Sequence, residues 1–143
     1  MAKTHTPPAG TQDSALAVSI SINAGQVSFS GAPSIVLPNG NLDLTGLAGG
    51  VQIFMVIQTA GWCFYNDGTD SAAEALFLAQ KQSDKTKAKA LPAVFKDAAL
   101  NPPYFNALTL TSKNNDSKRY YYTLNFIDSN NNLLSYDPII FNN

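Results

Sequence analysis

The stretch whose pattern decides the fold is "RYYYTLNFIDSNNNLLSYDPIIFNN", residues 119–143. Tyr120, Tyr122, Leu124 and Phe126 fall at every second position, the period of a strand with one buried face. That leaves Tyr121 on the other face with Arg119, Thr123 and Asn125. "DSNNN" at 128–132 is rich in side chains that close turns on their own backbone, so the chain is predicted to return through "LLSYDPIIF" as a hairpin. Pro138 is the irregularity. Proline donates no ladder hydrogen bond and belongs at an edge, a bulge or an end, and the simplest reading has it blunting a sheet edge against association.

The same alternation recurs outward along the chain. In "ALAVSISINAGQVSFSG" (15–31) Leu16, Val18, Ile20 and Ile22 share one face, and "NAG" turns the chain into Val27 and Phe29, which predicts a hairpin. "SIVLPNGNLDLTG" (34–46) places two short apolar runs around Pro38-Asn39-Gly40, a turn signal because Asn and Gly tolerate positive φ. "VQIFMVIQ" (51–58) and "WCFYN" (62–66) read as central strands. Residues 71–100 are predicted to be a long crossover. Ser71 with Glu74 fits a capping box, and "AAEALFLAQKQ" favours a short helix there. "ALTLTS" (107–112) resumes the β pattern. Eight to ten short strands separated by turn signals predict an all-β fold: an antiparallel β-sandwich of immunoglobulin-like architecture, one domain over 15–143 behind a flexible tail, 1–14.

Composition removes several functional classes. Nine basic residues against ten acidic ones give no electrostatic footprint for nucleic acid or an anionic membrane. Cys63 is the only cysteine and His5 the only histidine, so an intrachain disulfide cannot form. Common zinc sites and Ser-His or Cys-His nucleophile pairs lack parts, and no cofactor is expected. The chain start has no apolar run behind Lys3, and the longest apolar stretch is too short to span a bilayer, so cytoplasmic residence is the expectation.

"NDGTD" (66–70) clusters carboxylates around a glycine but misses the ligand intervals of a calcium loop and reads as a turn. "NND" (114–116) reads the same way. Trp62, Phe64, Tyr65, Tyr120, Tyr121 and Tyr122 suggest a ligand surface, though alternation assigns most of them to the core. Cys63, in an apolar strand, is expected to be buried and inert. A non-catalytic module that binds a glycan or a protein through its loops and exposed aromatics, or a purely structural subunit, are the alternatives.

Asp137-Pro138 carries the specific chemistry. With a two- or four-residue hairpin loop, Asp137 lies on the face of Tyr122 and Leu124, where its carboxyl would be desolvated; a three-residue loop puts it on the opposite face. An Asp carboxylate can attack its own peptide carbonyl through a five-membered ring, and the tertiary amide of proline is a good leaving group once protonated or twisted. Water opens the resulting anhydride to a cleaved chain, and a neutral lysine amine opens it to an isopeptide link.

The terminal segment, with "KRYYYTLNFI", an Asn-rich turn and "YDPIIFN", resembles the small bacterial Asp-Pro endopeptidase family, and "AGQVSFSG…VLPNG" is similar to that family's N-terminal half. The resemblance implies a β-sandwich that cleaves itself at Asp137-Pro138, keeps "PIIFNN" as a strand, and links the new Asp end to a lysine. It assigns the link to Lys118, with Arg119 as the other occupant of that position. An arginine there permits cleavage but no link, because guanidinium is not nucleophilic. Asp128 and Asp97 are the candidate assisting carboxylates. The partner expected is the protein itself, through strand addition.

Overall fold

A computed structural model describes residues 14–84 and 90–143. The expected tail lies outside these residues except for Ser14, as do His5 and residues 85–89 of the crossover. The described chain forms two sheets packed against each other around one apolar cluster drawn from both.

In the first sheet β1 (Ser14–Asn23) and β2 (Gln26–Gly31) form the predicted hairpin, paired from Val18↔Gly31 to Asn23↔Gln26. Ala24 and Gly25 both have positive φ, 52° and 76°, as a two-residue turn matched to strand twist requires. Leu16, Val18, Ile20 and Ile22 are buried. β4 (Val51–Ile57) lies beside β1, followed by β8 (Ala107–Ser112) and β7 (Phe95–Leu100), in the order β2-β1-β4-β8-β7.

The second sheet is built around β9 (Arg119–Asp128). One flank carries β5 (Trp62–Phe64) and β6 (Leu76–Ala79). The other carries β10 (Leu133–Tyr136) and β11 (Ile139–Phe141), with β3 (Leu42–Asp43) outside β11. Tyr122, Leu124 and Phe126 are fully buried, as their alternation predicts.

Two expectations are corrected. The sheets are mixed rather than purely antiparallel: β1 runs parallel to β4, and β11 runs parallel to β3. The excursion from Gly31 to Gly50 contributes β3 to the second sheet before β4 returns beside β1, and such a crossover permits parallel pairing. The predicted helix is absent, and the described residues contain only a 3-10 turn, Gln82–Asp84. The Ser71 hydroxyl accepts from Ala73 N–H at 3.2 Å in a local turn. Leu76 and Leu78 then pair with Leu124 and Tyr122 and are buried. Burial against β9 overrides the helical preference of an Ala- and Leu-rich run.

Candidate functional site

The site is set by the length of one turn. Asp128 N–H donates to Asn132 O at 3.0 Å, and Asn131 has φ 64°. The loop is therefore Ser129–Asn131, the three-residue form with a left-handed last residue. From Leu133↔Ile127 through Tyr136↔Leu124 to Ile139↔Tyr121 the register does not slip, so Asp137 stands opposite Thr123 and Pro138 opposite Tyr122. The three-residue alternative holds, and the face is reversed. Asp137 is exposed on the outer face, so the desolvated carboxyl expected for the other loop lengths does not arise.

The outer face nevertheless positions this acid. Thr123, only 2% exposed, donates its hydroxyl to Asp137 Oδ1 at 2.9 Å. Such a bond restricts the carboxylate to few rotamers. Beside it, Ile139 N–H donates to Asn41 Oδ1 at 2.9 Å, and the Tyr122 hydroxyl donates to Gly40 O. Gly40 has φ 87°, and a Cβ there would lie 2.6 Å from the Phe29 ring, so the loop can approach Tyr122 only with glycine at that position. Burial, and then the charge of Tyr136, push the Tyr122 phenol well above its ordinary range.

Pro138 is buried, and its orientation corrects the edge-blunting expectation. Tyr122 N–H donates to Pro138 O at 3.0 Å. In antiparallel pairing a bond between directly opposite residues marks a pair that ordinarily exchanges two. Proline has no N–H to return the second. Its missing donor therefore faces β9, inside the sheet, and does nothing to the outward edge. The position forgoes a ladder bond worth about 1 kcal/mol.

Beyond Pro138 the chain is clasped by side chains. Ser112 donates to Asn142 Oδ1 at 2.8 Å, and Asn142 Nδ2 donates to Asp116 Oδ1 at 3.2 Å. Tyr120 donates to Asp116 Oδ2 at 2.6 Å. Asn114, 3% exposed with φ 54°, accepts from Asn143 N–H at 2.6 Å while its amide reaches the carbonyls of Leu44, Leu47 and Gly49. Read in the sequence as a plain loop, "NND" is thus an anchor for the C-terminal strand.

The remaining candidates lie apart. Arg119 pairs with Phe141, and Lys118 accepts from Asn142 N–H through its carbonyl, five strand positions or roughly 17 Å from Asp137. Asp128, as far away in the other direction, closes the hairpin turn. Its carboxyl is held below the usual range by Asn132's backbone and side chain, then by the Asn130 N–H. Asp97 is exposed in the other sheet at the β7 bulge, with φ 56°. The structure thus brings Asp137 and Pro138 together with Thr123, not with Lys118, Asp128 or Asp97. Only the three-residue loop reading, applied to Thr123, could have found this partner in the sequence.

"NDGTD" is an ordinary turn, with Thr69 donating to Asp67 Oδ1 from backbone and side chain. Cys63 is half-buried, and burial pushes its thiol up, which disfavours the reactive thiolate. Among the described residues no group of three or more His, Cys, Asp or Glu side chains could hold a metal, and no helix is long and apolar enough to cross a membrane.

The class defined by fold and site is coarse: a mostly-β protein of two packed, mixed sheets with an Asp-Pro pair inside its terminal strand segment. No family model matches the chain, and no curated protein matches it in sequence.

Proposed function

We propose that the protein is a self-processing, endopeptidase-like protein on an immunoglobulin-like β-sandwich, akin to the Asp-Pro endopeptidases, which cleaves its own bond between Asp137 and Pro138. The observation that carries this reading is the orientation of Pro138 toward Tyr122. A proline at that position costs a ladder bond and gives no edge protection, so neither strand pairing nor edge protection accounts for it. Cleavage chemistry supplies one, because a tertiary amide is the leaving group the reaction needs.

In the step envisaged, an Asp137 carboxylate oxygen attacks Asp137's own main-chain carbonyl carbon. The bond to Pro138 nitrogen breaks as that nitrogen takes a proton and leaves as a secondary amine. Water then opens the cyclic anhydride, restoring the Asp137 side chain and leaving a new terminal carboxylate. The Thr123 hydroxyl, at 2.9 Å from Oδ1, restricts the attacking group to few rotamers, the contribution that proximity makes to such reactions. Cleavage without cross-linking is the form this geometry favours, since Lys118 is aligned with Asn142 and not with Asp137. The severed Pro138–Asn143 segment would stay in place through β11 and the asparagine clasp, and a nicked molecule could trade that strand with a second copy.

Mass spectrometry of purified protein, denatured before injection and sampled during storage from mildly acid to mildly alkaline buffer, tests the reading. The expected result is two fragments meeting at Asp137/Pro138 whose masses sum to the intact chain plus one water. Asp137→Asn should suppress them. An intact mass that persists under every condition would sink the proposal.

A further inference from the structure

At the ends of β4 and β9 remote from the clasp, a cleft of about 430 Å³ opens broadly to solvent. Three segments build it: the residues between β4 and β5, the turn before β8, and the β9–β10 turn. Backbone bonds tie these walls together. Ser129 N–H donates to Gly61 O at 3.0 Å, Ile57 N–H to Asn106 O at 2.8 Å, and Phe64 N–H to Phe105 O at 2.8 Å. The lining includes the rings of Trp62 and Tyr104, with Gln58, Asn106, Asp128 and Ser129 among its polar groups.

Two features define what such a cleft can hold. Tyr104 is 79% exposed, a large aromatic surface that the fold leaves in water with no packing role. In addition, among the described residues the Tyr104 hydroxyl, the Trp62 indole N–H, the Asn106 carboxamide and the Ser129 hydroxyl have no hydrogen-bond partner. Rigid walls therefore present aromatic faces beside uncommitted donors and acceptors. Asp128 is the one ionisable carboxylate in the lining, which contains no Lys or Arg, so an anionic ligand has no counter-charge there. A wholly apolar ligand gains most from an enclosed pocket, which this open cleft is not. The ligand chemistry that matches is a flat, weakly positive C–H face for the aromatic rings with a rim of neutral hydroxyls for the amides.

We infer that this cleft is a binding site for a neutral oligosaccharide built of glucose or N-acetylglucosamine units. The site is separate from the Asp137-Pro138 seam and does not depend on cleavage there.

Trp62 is the chain's only tryptophan, so intrinsic fluorescence reports on the cleft directly. The full chain is titrated with maltotriose, cellotriose and chitotriose, and with phenol as an aromatic control. At least one trisaccharide should give a saturable change with a millimolar or tighter Kd. Tyr104→Ala should weaken that binding about tenfold and Asn106→Ala by a smaller factor, while Tyr121→Ala and Asp137→Asn leave it unchanged. Both cleft side chains are exposed, so their loss does not threaten folding. No saturable response to any trisaccharide, undiminished binding in Tyr104→Ala, or tighter binding of phenol than of the sugars would each overturn the inference.

Discussion

β10 and β11 are halves of one strand segment, laid against β9 in a single register, and yet they are held very differently. Among the described residues β10 has a partner strand on one side only, and Leu133 at its start is 68% exposed. β11 has β9 on one side and β3 on the other, Ile140 is 0% exposed, and the two asparagines that follow are gripped by Ser112, Asn114 and Asp116. Asp137-Pro138 is the seam between them. Continuity of the chain is thus least needed at this bond: what lies beyond it is fixed by its own contacts, so the peptide link contributes connectivity more than position.

The largest expected effect comes from testing that asymmetry in the core. Ile140→Ala should cost about 3 kcal/mol, in the usual range for a fully buried aliphatic side chain. Leu133→Ala should stay within about 0.5 kcal/mol, as exposed substitutions do. Urea denaturation followed by far-UV circular dichroism measures both. Equal losses would mean that the two halves are equally integrated, and the contrast would fail.

The clasp should come next. Asn114→Ala strands the Asn143 N–H and the Gly49 carbonyl, while Leu44 O keeps the Leu47 N–H and Leu47 O keeps the Asn143 amide. A loss of about 2 to 3 kcal/mol is expected, since buried groups deprived of partners keep their desolvation penalty. Asn114→Gly accommodates the positive φ but not the bonds, so it should recover only the backbone part of that loss. A full recovery in the same denaturation experiment would show that conformation, and not the clasp, is what Asn114 provides.

How the sequence foreshadowed this arrangement can be judged residue by residue. The alternation of Tyr120, Tyr122, Leu124 and Phe126 carried the buried face of β9 because period two is a direct consequence of strand geometry. "NAG" carried the first hairpin for an equally local reason. Residues 71–79 misled because local propensity cannot sense that Leu76 and Leu78 will be buried against a strand some fifty residues away. The face of Asp137 turned on whether "DSNNN" closes with two, three or four residues, and one residue reverses it. Asn114 and Asn142 were illegible for another reason: an Asn signals a turn equally well whether its side chain caps its own backbone or reaches three carbonyls far along the chain.

A smaller effect is expected at the seam itself. Pro138→Ala gives Tyr122 O a donor, a gain of about 1 kcal/mol, and gives up a similar amount by loosening the unfolded chain. Stability should therefore change by less than about 1 kcal/mol. Hydrogen exchange separates the readings better. The new amide at position 138 should be among the slow ones if it faces β9, and fast if the proline had been guarding an open edge.

The smallest effect is the clasp's own share of the pH dependence of stability. For Asp116, burial is the largest single influence and pushes its carboxyl up. Hydrogen bonds from the Tyr120 hydroxyl, the Lys118 N–H and the Asn142 amide, with the Lys118 charge, together outweigh it and leave the group below its ordinary value. The folded state therefore binds this proton less readily than the unfolded chain. The stabilisation is present above the unfolded Asp value of about 3.9 and is lost as pH falls through the folded value. Tyr120 is the mirror case: burial, then its bond to Asp116 and that residue's charge, push it up to about 12. Its contribution is complete below the unfolded Tyr value of about 10 and is lost as pH rises through the folded one. Urea midpoints followed across pH should fall on both limbs, with Asp116→Asn flattening the acid limb and Tyr120→Phe the alkaline one. Midpoint shifts uniform in pH would mean that these two groups support the clasp by shape alone and that their charges contribute nothing to it.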